Sequence, residues 1–182
     1  MHFSLTDLVT DIVQNGVESG TDLLELFISD KKDFRFTVKD RGKWMTKEEL
    51  ERSQDPFVSD GIKHPQRRVG LGIPFLIQTA ETSGGGWKIE SKKGPGPKGT
   101  EVSAWFDLDN VDTPPIGDIP GMLRTVLLFE GPSEILIKRQ GRVNYEVRKT
   151  ELVNALGGLR NARSLVLMDE FLKNREKRIS NR

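Results

Sequence analysis

Near the start of the chain apolar side chains recur at a helical interval. Leu5, Leu8, Val9, Ile12, Val13 and Val17 fall at i, i+3, i+4, i+7 and i+8, the pattern of a helix that buries one stripe. The spacing predicts a helix over residues 5 to 18, with Ser4 as its cap and Asp7 completing a capping box. The interval then drops to two. Leu24, Leu26 and Ile28 share one face, as do Phe34, Phe36 and Val38 after the turn at Lys31, Lys32 and Asp33, which predicts two antiparallel strands. Thr46 is positioned to cap a short helix over 46 to 53, with Glu48 and Glu49 favourably placed in its first turn. Residues 54 to 68 contain Pro56, Gly61 and Pro65 and little periodicity, and read as a long mobile loop.

A second amphipathic helix is expected from about Pro74, a first-turn position where a missing N–H costs nothing, to about Ser83, where Gly84, Gly85 and Gly86 end it. Strands follow at 87 to 92 and 100 to 107, joined by the turn-rich GPGPKG. Helices on one side and hairpin-linked strands on the other predict an α/β (α+β) two-layer sandwich with a mixed, largely antiparallel sheet. Residues 107 to 117, with Pro114 and Pro115, read as a linker. Beyond it the pattern predicts a helix at 118 to 129, a hairpin pairing 134–139 with 143–148 around Gln140 and Gly141, and helices near 150–156 and 163–177. The expected organisation is a domain over 1–109 and a small α/β C-terminal extension over 110–182.

Composition then narrows the chemistry. With 182 residues the chain fits one compact domain or one domain with an extension. It has no cysteine and two histidines, which excludes disulfide scaffolds, thiolate nucleophiles and Cys-based metal centres and leaves little for a His-based one. No apolar run reaches the roughly 18 to 20 residues of a membrane span, and the first residues lack the order of a secretory signal, so a cytoplasmic protein with no membrane partner is expected. The formal charge of +1 gives no bulk attraction for nucleic acid, which is not expected as a partner. That near-neutrality hides an asymmetry. Residues 1–109 hold 18 acidic against 15 basic side chains, and residues 110–182 hold 9 against 13. The basic run at 173–182 reads as a solvated terminus, while Trp87, Trp105 and the phenylalanines, at strand periodicity, read as core.

Chemistry is therefore sought in carboxylates, amides and glycines. Asp11 and Asn15, four apart, share one face of the first helix. By itself this is the polar face of an ordinary helix. Asp40 stands at the end of the second predicted strand before Arg41 and Gly42, where a carboxylate can accept a hydrogen bond from an amino group such as that of adenine. Arg67, Arg68, Val69, Gly70, Leu71 and Gly72 feed directly into a helix, and exposed N–H groups at a helix start favour anions, with arginines adding charge-assisted bonds. The segment is neither a P-loop, since GxxxxGK[ST] is absent, nor a Rossmann fingerprint, since the third glycine is missing.

Taken in order, "TDIVQNGVESGTDLLEL", "VKDRGKWM", "RRVGLGIPFL" and "KGTEVSAWF" resemble the histidine-kinase-like (GHKL, Bergerat-fold) ATPases, and "DPFVSDGIKHPQRRVGLGIP" is similar to the small stand-alone prokaryotic ATP-binding proteins of that group. The resemblance spans most of residues 5 to 107. It implies ATP and Mg²⁺ as ligands, with Asn15 as the Mg²⁺-coordinating asparagine and Asp11 as the acidic residue that orients and deprotonates the attacking water. It implies that Asp40 reads the adenine, that Gly42 and Met45 complete that box, and that Arg68, Gly70, Leu71 and Gly72 lie beside the phosphates. It also implies that Thr100 supports the adenine contact and that 53–69 is a lid.

Three positions depart from the family pattern. Asp11 is one methylene shorter than the usual glutamate, Trp44 replaces the second glycine of the first glycine box, and Arg68 stands where sensor kinases often carry a glycine. His2 and His64 lack the helical setting of a phospho-acceptor, which argues against a self-phosphorylating kinase. The resemblance implies a Mg-dependent, nucleotide-responsive regulator or weak ATPase with a protein partner, and it leaves a homodimer open. An anti-sigma-type protein serine kinase and a degenerate protein-interaction module, its pocket closed by Trp44, are the alternatives.

Overall fold

The computed structural model describes residues 4–55, 72–93 and 98–177. Its elements are α1 (Leu5–Glu18), β1 (Leu23–Asp30), β2 (Asp33–Asp40), α2 (Lys47–Gln54), α3 (Gly72–Thr82), β3 (Gly86–Lys92) and β4 (Gly99–Asp107). They continue with α4 (Ile119–Leu128), β5 (Glu134–Gln140), β6 (Tyr145–Arg148), α5 (Lys149–Leu156) and α6 (Ala162–Glu176). The strands form one mixed sheet in the order β3-β4-β2-β1-β5-β6. The pairings are antiparallel except β1 with β5, which is parallel because α4 and its connections carry the chain back across the sheet. This is the expected α/β fold. The strands on either side of residue 109 share that sheet, and the 108–118 connection runs along the start of α1, where Leu5 N and Thr6 N donate to Pro115 O and Ile116 O.

Register explains the core. Leu24, Leu26 and Ile28, Phe34, Phe36 and Val38, Val102, Ala104 and Phe106, and Ile135 and Ile137 form rows on the face that meets the helices, all nearly inaccessible. Against them pack Leu5, Leu8, Val9, Ile12 and Val13 of α1, Leu76 and Ala80 of α3, Leu123, Val126 and Leu127 of α4, and Met168 and Leu172 of α6. The other sheet face is charged and polar, with Lys39 paired to Glu101 at 3.0 Å. Trp105 belongs to this outer face, under the Arg35 guanidinium, and not to the core as its periodicity suggested. A period of two fixes alternation without saying which side is buried.

The local signals act as expected. The Asp7 carboxylate accepts from Ser4 N at 2.8 Å, and Thr46 and Glu49 form a full capping box on α2. Gly84, at φ +65°, ends the α3 segment in the left-handed conformation that glycine adopts without strain.

Candidate functional site

The core-facing rows of the sheet end in polar residues at both ends. At one end the row of Phe34, Phe36 and Val38 terminates in Asp40, the partner of Leu24 in β1. On β4 and β3 the same level holds Thr100 and its partner Ser91, whose hydroxyls are 3.1 Å apart. Strand alternation therefore delivers a carboxylate and two hydroxyls to one half-buried edge beneath α1. Gly16 of α1 lies over it, and a Cβ there would touch Leu24 Cδ1 at 3.0 Å and Asp40 Cβ at 3.7 Å.

Asp40 Oδ1 accepts from Gly42 N at 2.9 Å and from Ser19 Oγ at 3.0 Å. Burial raises the Asp40 pKa above the ordinary carboxylate value, and the bonds from Gly42, Ser19 and the Thr100 backbone oppose that rise without cancelling it. Asp30, on the core-facing row at the opposite end of β1, behaves in the other way. Its burial acts in the same sense, but Arg139 and Arg142 hold its pKa below the usual value. Buried Asp30 is neutralised by arginine; half-buried Asp40 is held, among the described residues, by hydroxyl and N–H donors.

The loop after β2 is anchored at both ends. Lys43 N donates to Ser19 O at 2.9 Å, and Met45 N donates to Ser91 Oγ at 2.7 Å. Gly42 is required by closeness, because a Cβ would lie 1.9 Å from Ser19 Oγ. Trp44 adopts no positive φ, so the tryptophan needs no glycine-only backbone, and its ring carries the Lys93 ammonium at 4.8 Å. Gly99, at φ +130°, approaches the Asp40 carbonyl so closely that a Cβ would lie 2.0 Å from it, which locks the start of β4 against the end of β2.

A second cluster lies where α3 meets α1. Asp11 and Asn15 are exposed on α1. A Cβ on Gly72, the first residue of α3, would lie 3.5 Å from Asn15 Nδ2 and 3.6 Å from the Asp11 Cβ. The helix start thus packs against the Asp11 and Asn15 face of α1, within van der Waals reach of a side chain at position 72. Among the described residues no group of three His, Cys, Asp or Glu side chains could hold a metal ion unaided.

The structure therefore brings together Asp40, Gly42, Met45 and Thr100 at one edge, and Asp11, Asn15 and Gly72 at the adjoining one. Arg68, Gly70, Leu71 and nearly all of the expected lid lie outside the described residues. Ser19, Ser91, Gly16 and Gly99 were not singled out from sequence. Ser19 could have been noticed as a polar residue closing the first helix, four positions after Asn15. A separate cavity of about 800 Å³ lies between the end of α4 and α5, bordered by Leu128, Phe129 and Val153. Its Lys149 ammonium is already bonded to Phe129 O at 2.7 Å.

The sequence profile described as "Histidine kinase-, DNA gyrase B-, and HSP90-like ATPase" matches residues 3–110. The chain belongs to that family. Among solved structures it is similar to the N-terminal domain of a DNA repair protein, with TM-score 0.53 and 10% identity over 80% of this chain and 51% of that one. It spans about half the length of that relative, and the likeness concerns the fold. The ATPase domain of Aquifex aeolicus MutL complexed with ADP aligns with TM-score 0.48 and 16% identity, over 94% of this chain and 70% of that one. No curated protein matches the sequence. No helix among the described residues is long and apolar enough to cross a membrane.

Proposed function

We propose that the chain binds Mg-ATP across the edge defined by Asp40 and the junction of α1 with α3, and acts as a nucleotide-responsive regulator with slow ATPase activity. The observation that carries this reading is the half-buried Asp40 carboxylate, held without a cation among the described residues and backed by Thr100, a short step from the Asp11, Asn15 and Gly72 cluster. In this reading Asp40 accepts a hydrogen bond from the exocyclic amine of adenine, in addition to those from Ser19 and Gly42. The start of α3 offers N–H donors to phosphate oxygens.

The residues suit the ion as well. The Asn15 amide oxygen is the hard, neutral donor Mg²⁺ accepts, and Asn15 adjoins the start of α3 at Gly72. Mg²⁺ when bound would neutralise phosphate charge, the remainder of its shell being phosphate oxygens and water. In this reading Asp11 orients a water and takes its proton while the bond from the γ-phosphorus to the ADP oxygen breaks. A protein partner that senses the nucleotide state belongs to the same reading.

The test is thermal unfolding with ATP, ADP and Mg²⁺ varied separately. A ligand at about 100 times its Kd stabilises the native state by about 2.7 kcal/mol, which for a chain of this size raises the Tm by about 5 to 10 °C. Mg-ATP is expected to give such a shift. An unchanged Tm at millimolar nucleotide, with and without Mg²⁺, overturns the reading.

A further inference from the structure

Ser19 closes α1, and its hydroxyl has one proton and two acceptors in reach, Gly16 O at 2.7 Å and Asp40 Oδ1 at 3.0 Å. Gly16 O already accepts from the Ser19 backbone N–H at 3.2 Å. Asp40 Oδ1 and Gly16 O each already hold one N–H donor, and the bond to the ionised carboxylate is the charge-assisted one. The arrangement is built. The hydroxyl fills the space over Gly42, where a Cβ would lie 1.9 Å from it, and Gly42 N donates to the same Oδ1 at 2.9 Å. Two donors from two different segments converge on one oxygen, the Thr100 backbone N–H also acts on the carboxylate, and together they fix its plane.

We infer that Ser19 is a positioning residue that makes the site select purines with a 6-amino group over those with a 6-oxo group. The inference rests on the nucleotide reading above. A fixed, ionised carboxylate accepts from the amine of adenine and repels the carbonyl oxygen of hypoxanthine. Without the serine donor the carboxylate turns more freely about its last torsion and takes up a proton more readily, and a protonated Asp40 can donate to a 6-oxo group. Selectivity then depends on a side chain that never touches the base.

Calorimetric titration of the whole chain with Mg-ATP and Mg-ITP, in the wild type, Ser19→Ala, Asp40→Asn and the double variant, tests this. The wild type should prefer ATP. Ser19→Ala should reduce the ATP/ITP affinity ratio by roughly three- to tenfold, the range of one hydrogen bond, and should leave the ratio unchanged in the Asp40→Asn background. Ser19→Cys, close in volume but a weak donor, should reduce the ratio as alanine does and serves if the alanine variant folds poorly. A wild type that prefers ATP with Ser19→Ala or Ser19→Cys keeping that ratio overturns the role of Ser19 alone, as does an equal loss in the Asp40→Asn background. A wild type that binds neither nucleotide overturns the nucleotide reading and this inference with it.

Discussion

Arg139 and Asp30, 109 residues apart, meet fork to fork across the parallel junction of β5 and β1, Nη1 to Oδ1 at 3.0 Å and Nη2 to Oδ2 at 2.9 Å. The guanidinium is almost wholly buried and reaches on to Glu176 at the end of α6, with Nε 3.0 Å from Oε1. Tyr145 donates to that same carboxylate. One cation thus ties the first hairpin to the C-terminal helix. Removing it leaves Asp30 buried beside only the half-exposed Arg142, and breaking a buried pair from one side costs about 3–5 kcal/mol. Arg139→Met should lower the urea midpoint accordingly, and Arg139→Met with Asp30→Leu should recover part of the loss. Because the Asp30 pKa is lowered on folding, its stabilisation is fully present above the unfolded value near 3.8 and disappears as pH falls through the lower folded value. The acid limb of the wild-type stability curve should flatten in the double variant.

Asp40 predicts the opposite sign. Its folded pKa lies above the unfolded value, so the native state binds the extra proton and its contribution to stability declines as pH rises from about 3.8 through the raised value. Asp40→Asn keeps acceptors for Gly42 and Ser19 and removes the charge. The ligand-free variant should therefore melt at or above the wild type at neutral pH, with a difference that grows from about pH 4 upward and then levels. The same substitution should weaken Mg-ATP binding at least tenfold, since loss of a bond to a charged group costs about 1.5–3 kcal/mol. Melting curves across pH, with and without nucleotide, check both halves. A lower Tm in the ligand-free variant removes the assignment of Asp40 as a group kept for a ligand.

These two carboxylates show what the sequence could and could not reveal. Asp40 was singled out because strand alternation, a following glycine and three further boxes in order all pointed to it. Asp30 sits at an equivalent strand end and reads no differently by pattern. What separates them is Arg139, on a strand that returns parallel to β1, and a long-range pairing leaves no periodic trace in either segment. The same limit hid Ser19, whose partner is 21 residues away, and placed Trp105 on the wrong side of the sheet. Element types and limits were readable because caps and periodicity are local. The side-chain partners that separate an arginine-paired carboxylate from one held by hydroxyl and N–H donors are not local.

Trp44 lies between two backbone anchors, Lys43 N on Ser19 and Met45 N on Ser91, and so borders the polar edge. Trp87 is engaged by Glu81 and Trp105 stacks with Arg35 on the outer sheet face, so a nucleotide-dependent change in tryptophan emission should come from Trp44. It should vanish in Trp44→Phe and persist in Trp105→Phe. If the ring stacks on the base, Trp44→Ala should weaken Mg-ADP binding by about 1–3 kcal/mol. Tighter binding by that variant would instead identify Trp44 as an obstruction of the pocket.

Asp11 allows the sharpest test of turnover, because its two conservative replacements move in opposite directions. It stands on the exposed face of α1 one turn before Asn15, next to the start of α3 at Gly72. A general base contributes about 10²- to 10⁴-fold to rate. Asp11→Asn keeps size and polarity but cannot take a proton, and should abolish phosphate release while leaving the Kd for Mg-ATP within about twofold. Asp11→Glu adds the methylene that a carboxylate needs to reach a water held farther from the helix, and should raise kcat with little change in KM, since the gain arises only in the transition state. Phosphate release measured alongside nucleotide affinity separates the two effects. Equal turnover in all three proteins removes Asp11 as the base, and a parallel loss of binding in Asp11→Asn makes it a group that holds the nucleotide and does not act on water.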